Sequence, residues 1–114
     1  MFFVLIAGFF VVRYASAVPG VNWTLATGAA SWQGRMSPSS LVFQNKMWLM
    51  GGRYDFGTYF SDVWSSSDGV NWTQAIATAP WNKWNHESVV FLNKMWVIGG
   101  QSSGTLPSDV WYSQ

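Results

Sequence analysis

The sequence predicts an all-β chain made of four-stranded antiparallel units, with about two units present. Three observations predict it. First, the chain repeats itself. Gly20-Val21-Asn22-Trp23-Thr24 returns as Gly69-Val70-Asn71-Trp72-Thr73, residues 41–52 return as 89–100, and Ser61-Asp62-Val63-Trp64 returns as Ser108-Asp109-Val110-Trp111. The offsets are 49 (69 − 20), 48 (89 − 41) and 47 (108 − 61). A period near ~50 is one supersecondary unit stacked on the next. Second, the apolar runs inside each period are short and bounded by turn residues, a pattern that fits strands buried on both faces. Third, Asp68-Gly69 is a strong hairpin signal between two such runs.

Taken in order, Val21 to Leu25 has the sequence of a fourth strand, standing ahead of the first full unit. Leu41-Val42-Phe43 and Met47-Trp48-Leu49-Met50 form the first two strands of that unit. Asn45 lies between them and tolerates the positive φ of a tight hairpin. Gly51-Gly52 ends the second strand, where a backbone without Cβ can turn sharply or approach a neighbour. A loop over 53–60 leads to the third strand, Asp62 to Ser65, and Val70 to Gln74 makes the fourth. The second unit repeats strands one to three at Ser88–Leu92, Met95–Ile98 and Asp109–Tyr112.

Residues 1–17 are read as a separate segment. Phe2 to Val12 is an unbroken apolar run, followed by Ala15-Ser16-Ala17. That is the form of a secretory signal peptide cleaved after Ala17, leaving a secreted domain over 18–114. The run falls short of the roughly 20 apolar residues that span a bilayer, so no membrane association is expected after cleavage. An uncleaved anchor is the competing reading, because the only basic residue nearby, Arg13, follows the apolar run.

Without Arg13, five basic and five acidic residues remain. There is no basic stripe to track a phosphate backbone, so nucleic acid is not an expected partner. The absence of Cys excludes disulfides and thiolate chemistry. Nine Trp offer aromatic packing in their place. A single His cannot supply the imidazole set of a typical copper or zinc site, so no metal or cofactor is expected. Among the carboxylates, Asp62 and Asp109 repeat and Asp68 sits in a turn, which leaves only Asp55 and Glu87 for acid–base work. The chain is therefore not expected to be an enzyme by itself.

The order Gly-Gly, variable loop, Asp-Val-Trp and final Trp resembles the kelch repeat. It is carried by Gly51-Gly52, Asp62-Val63-Trp64 and Trp72, and again by Gly99-Gly100 and Asp109-Val110-Trp111. The resemblance covers essentially all of residues 20–114. It implies that the four-stranded units are blades of a β-propeller, and that the chain acts as a protein- or carbohydrate-binding or scaffolding module. It departs from the family pattern where Tyr59 is matched by Leu106. The alternative function is a set of non-catalytic blades from a secreted propeller enzyme, galactose-oxidase-like or sialidase-like. Ser66 to Trp72 also resembles the Asp-box of sialidase-type propellers, with one residue fewer between Asp and Trp; a simple packed turn is the competing reading. Two blades are fewer than a ring needs, generally about four or more. Two accounts follow: a fragment of a longer propeller, or a homo-oligomer of two-blade chains closing a ring by heterologous contacts.

Residues that recur once per blade, Trp64 with Trp111 and Trp48 with Trp96 above all, are expected to pack. Residues that break the repeat are the site candidates. Trp84, Asn85 and His86 replace Met36, Ser37 and Pro38, and Arg53-Tyr54-Asp55-Phe56 gives way to Gln101-Ser102-Ser103. Both segments are expected on one rim, where loops on a rigid scaffold carry function. The expected binding face is Arg53, Tyr54, Asp55, Trp84 and His86, with Arg35. Arg offers donors, Asp an acceptor, and Trp or Tyr a stacking plate. Asn22 and Asn71 lie in Asn-Trp-Thr sequons and are candidate glycosylation sites.

Overall fold

The computed structural model describes residues 18–114, so the expected signal peptide lies outside the described residues. Seven strands make two antiparallel sheets, and the described residues contain no helix. The first sheet runs in order through β1 (Ser39–Phe43), β2 (Lys46–Met50), β3 (Val63–Ser66) and β4 (Thr73–Ile76). The second runs through β5 (Glu87–Phe91), β6 (Lys94–Ile98) and β7 (Val110–Tyr112).

Two tight hairpins open the sheets. Phe43 pairs with Lys46 and Phe91 with Lys94, leaving two-residue turns at Gln44-Asn45 and Leu92-Asn93. All four turn residues have positive φ, as a two-residue turn that follows strand twist requires. Asn45 therefore does what its sequence predicts. The third and fourth strands of the first unit are joined differently from expectation. β4 starts at Thr73 rather than Val70, because residues 67–72 form a loop around the Asp68 carboxylate. Asp68 Oδ1 accepts from the Val70 and Asn71 amides, each at 2.8 Å, and Oδ2 accepts from the Asn71 side chain. These bonds hold its carboxyl well below the usual range. Asp68 is thus the organising side chain of a wide turn, not the first position of a two-residue hairpin. Residues 21–25 form no strand, although their sequence matches the fourth. Without a neighbouring edge to pair with, local sequence does not hold them extended.

The two sheets meet face to face, with β1 beside β5. The core lies between them and contains Met50, Val63, Ala79, Trp81 and Val97. Burying each of the larger apolar side chains contributes roughly 1.5–3 kcal/mol. Strand burial differs along the chain. β1 alternates between buried and exposed positions, and most of β5 is exposed. The expectation of strands buried on both faces is met by β2 and β3, where the neighbours Leu49 and Met50, and Ser65 and Ser66, are buried on opposite faces, and not by β4, β5 or β7, which are mostly exposed. Of the repeated Trp, only Trp81 is fully buried, while Trp48, Trp64, Trp96 and Trp111 are half-buried.

Backbone bonds stitch the two units together. The Gly52 amide donates to the Lys83 carbonyl at 2.9 Å, Asn85 to Ser37 at 3.0 Å, and Ala79 to Ser61 at 2.7 Å. Gly51 has φ +59, and a Cβ there would lie 2.5 Å from the Lys83 carbonyl oxygen. Only glycine meets both demands.

Inside each unit a buried cation fastens the chain ahead of the first strand to the third. The Arg35 guanidinium pairs with Asp62 at 2.5 Å and 3.0 Å and also donates to the Gly51 carbonyl at 2.9 Å. Trp64 Nε1 donates to the same carboxylate at 2.7 Å. Forty-eight residues on from Arg35 (83 − 35), Lys83 repeats the arrangement: it bonds Asp109 at 2.5 Å and the Gly99 carbonyl at 2.8 Å. Trp111 Nε1 donates to Asp109 at 2.6 Å. Burial alone raises the Asp62 carboxyl, but the Arg35 and Trp64 hydrogen bonds and the Arg35 charge outweigh it, so its pKa is lowered. The Lys83 and Trp111 bonds lower Asp109 as well. Both cation side chains are 1 % exposed, whereas the Asp62 side chain is 12 % exposed and that of Asp109 40 %.

Removing one member of a buried pair leaves an uncompensated charge and costs about 3–5 kcal/mol. Arg35→Met is expected to lose stability of that order. Lys83→Met is expected to lose less, because water reaches Asp109. Urea unfolding followed by Trp fluorescence measures both, and equal losses would count against this account.

Candidate functional site

The loop after β2 and the segment before β5 converge on one rim. Arg53 is held by reciprocal backbone bonds with Met36, at 2.7 Å and 2.9 Å. Trp84 makes the same exchange with Gln101, at 3.1 Å and 3.0 Å. The Asn85–Ser37 bond sets the two pairs side by side. The Arg53 guanidinium then lies 3.7 Å over the Trp84 ring and 4.7 Å from the centre of Phe56.

This cation has two aromatic neighbours, and among the described residues no carboxylate lies within ion-pair range of it. Arg53 Nε and Trp84 Nε1 are buried donors without a partner among the described residues. Aromatic stacking holds a guanidinium by its faces and leaves its edge for hydrogen bonding. The arrangement can accept a planar anion such as a carboxylate, with exposed rings beside it for an apolar or sugar surface. Tyr54 and Phe56 are those rings, and both are exposed. Asp55 shapes the loop that presents them: its carboxylate accepts from the Thr58 amide at 2.9 Å, while the Tyr54 amide donates to the Thr58 carbonyl at 3.0 Å.

Of the six sequence candidates, the structure brings Arg53, Tyr54, Asp55 and Trp84 to this rim. It places the other two inside. Arg35 is not presented to a ligand, because its guanidinium is consumed by Asp62 and Gly51 and covered by Phe60 at 4.1 Å. His86 is buried beneath the rim, with Nε2 2.7 Å from Ser39 Oγ and its ring 5.7 Å from that of Trp81. Asn71 is exposed, but its side-chain nitrogen donates to Asp68, so the atom a glycan would occupy is engaged. Asn22 is exposed.

Two residues that matter were not apparent from sequence. Phe56 flanks the guanidinium, and its only signal was membership of the repeat-breaking loop. Lys83 is the second buried cation. Its signal was available: Arg35 and Lys83 are both cationic at equivalent positions, and their partners Asp62 and Asp109 also repeat.

A separate apolar cleft of about 410 Å³ opens between the outer strands of the two sheets, lined by Trp48, Met50, Ile76, Val97 and Trp111 among others. It carries no charged lining residue, so the rim holds the more specific chemistry. Among the described residues no three His, Asp or Glu side chains cluster as a metal site would need. No protein-family model matches the sequence, and a search of curated proteins returns no significant match.

His86 yields a pH prediction. Burial first, and then the Lys83 charge, push its imidazole from the ordinary 6.5 down to about 4. The folded protein therefore holds it neutral, while the unfolded chain takes up a proton below about pH 6.5. Stability is whole above that pH and falls as pH drops toward 4, by about 3 kcal/mol for one such group. Urea midpoints at pH 7 and pH 4.5 should show this loss. His86→Gln should flatten the dependence in that window; an unchanged slope would mean that other groups cause it.

Proposed function

We propose that this chain is a secreted, kelch-like β-propeller segment that acts as a carbohydrate-binding module, with the Arg53–Trp84 rim as its binding face and an acidic sugar as its ligand. Support for the propeller comes from the repeat, from sheets of up to four strands, and from first strands that lie side by side. The observation that carries the binding reading is the unneutralised Arg53 guanidinium stacked against Trp84 and Phe56. A buried or half-buried cation normally has an acid partner, and the open edge of this one matches a uronic-acid carboxylate. The exposed rings of Tyr54 and Phe56 suit the faces of neighbouring sugars, as aromatic plates do for ligands with one apolar side.

The test is calorimetric titration with an oligogalacturonate, set against a neutral oligosaccharide of equal length. The acidic ligand should bind and the neutral one should bind weakly or not at all. Arg53→Ala should weaken acidic binding by about tenfold or more, the scale of one lost charged hydrogen bond. The reading fails if the oligogalacturonate does not bind, or if wild type and Arg53→Ala bind it equally.

A further inference from the structure

The two units do not pack as mirror images. The face of the first sheet carrying Trp48, Met50 and Val63 covers the face of the second carrying Met95, Val97 and Trp111. In repeat terms these are opposite faces: Met95, Val97 and Trp111 correspond to Met47, Leu49 and Trp64, which lie on the far side of the first sheet. The contact is therefore head-to-tail. It leaves that type of face open on the second sheet, and partly open on the far side of the first, where Leu49 and Ser66 are buried.

Equivalent positions measure what that contact covers. Met50 is 2 % exposed and its counterpart Ile98 is 40 % exposed. Val63 is 7 % exposed and its counterpart Val110 is 53 % exposed. The same face of the second sheet also carries Val89, Phe91 and Tyr112, all exposed. On the opposite end, Val42 and Met47 are exposed. Gly51, at φ +59, sits against Lys83 and His86 of the next unit, whereas Gly99, at φ +63, has nothing within 4 Å of where a Cβ would stand.

The segment around Trp23 completes the picture. Gly20 has φ +81 and Gly69 φ +78. Trp23 Nε1 donates to the Gly20 carbonyl at 3.2 Å, as Trp72 Nε1 does to Gly69 at 3.3 Å. Two features of the turn that joins β3 to β4 thus recur at residues 20–23, although Pro19 stands where Asp68 does, and the residues after it pair with no strand. Val21, Trp23 and Leu25 are exposed. On the other sheet, β7 has a free edge among the described residues.

We propose that a second copy of this chain docks head-to-tail on the open face of the second sheet, re-creating the contact between the two units. Ile98, Val110 and Tyr112 of one copy pack against the first sheet of the next. Residues 24–27 of that next copy add to the edge of β7 in the register of β4 on β3. Ser65 pairs with Thr73 and Trp64 with Gln74, so Tyr112 faces the incoming Thr24 and Trp111 the incoming Leu25. The next copy's Trp32, which now leans edge-on against its own Trp72 at 6.0 Å, takes the place that Trp81 holds in the core. The Gly100 amide takes the next copy's Arg35 carbonyl, as Gly52 takes that of Lys83. A contact of this heterologous kind makes a ring when its rotation closes, and an open filament otherwise; the blade-like repeat favours the ring. Rings of about four to eight such units correspond to two to four chains. The inference uses the observed contact between units and is independent of the ligand proposed for the rim.

The chain has no cysteine, so single introduced thiols report proximity cleanly. Directly opposed residues on antiparallel strands lie within disulfide range. Thr24→Cys and Tyr112→Cys variants are purified separately, mixed in equal amounts and oxidised. Covalent dimers should form in the mixture well above the yield of either variant alone, and light scattering of the native chain should give one species of two to four chains. Val110→Asp changes a position exposed within one chain. It should leave the Trp near-UV signal intact and reduce the mass to that of a single chain. A folded monomeric native chain overturns the proposal. So do equal cross-link yields in the single-variant controls, and an assembly whose mass Val110→Asp leaves unchanged.

Discussion

Each unit is organised around one buried cation. Arg35 and Lys83 enter from the segment ahead of the first strand, cross beneath the Gly-Gly turn, and reach the aspartate that opens the third strand. The aspartate also accepts the indole N–H of the Trp two residues later. Three separated stretches of chain are thereby tied at one point, and the turn carbonyl that the strands leave unpaired is satisfied. A buried pair of this sort is stable only when its remaining hydrogen-bonding capacity is also met. That condition explains why Asp, Trp, Gly and a cation recur together. It also explains why the Asp-Val-Trp motif is structural rather than a source of free carboxylates for chemistry.

The clamp has a consequence for the rim. By fixing the chain before the first strand, it places Met36 and Trp84 where they exchange backbone bonds with Arg53 and Gln101. The rim is then built from positions that the clamp does not need. Arg53 and Trp84 differ from their counterparts Gln101 and Met36, and they meet across the junction between units. Arg35, chemically the same side chain as Arg53, is used entirely for structure. Whether an arginine serves the fold or remains open to a ligand is decided by whether a carboxylate is delivered to it.

The two units are alike in sequence and unlike in environment. Asp62 is the more enclosed, beside an Arg35 that Phe60 of the same unit covers, and Asp109 is more open. His86 is neutral because it lies under that same junction, between the first strand of one unit and the cation of the other. The burial of Met50 and Val63 and the neutrality of His86 both follow from the contact between the units.

Much of the architecture was legible in the sequence. The repeat located most of the strands, the Asn45 turn followed from its tolerance of positive φ, and the repeat-breaking positions pointed to Arg53 and Trp84. These are local or periodic signals, which the order of residues carries directly. Other features depended on the third dimension. Asp68 displaced the start of β4 by drawing backbone amides around itself, a choice between two local structures of similar sequence. Val21 to Leu25 shares its sequence with the approach to β4 but forms no strand, because strand formation requires a paired edge. Arg35 and His86 have ligand-binding chemistry, yet their partners Asp62 and Ser39 lie 27 and 47 residues away and are met only on folding. Sequence by itself determined where most strands, turns and exceptions fall; tertiary structure decided which charged groups are enclosed, because enclosure depends on the partners that folding brings beside them.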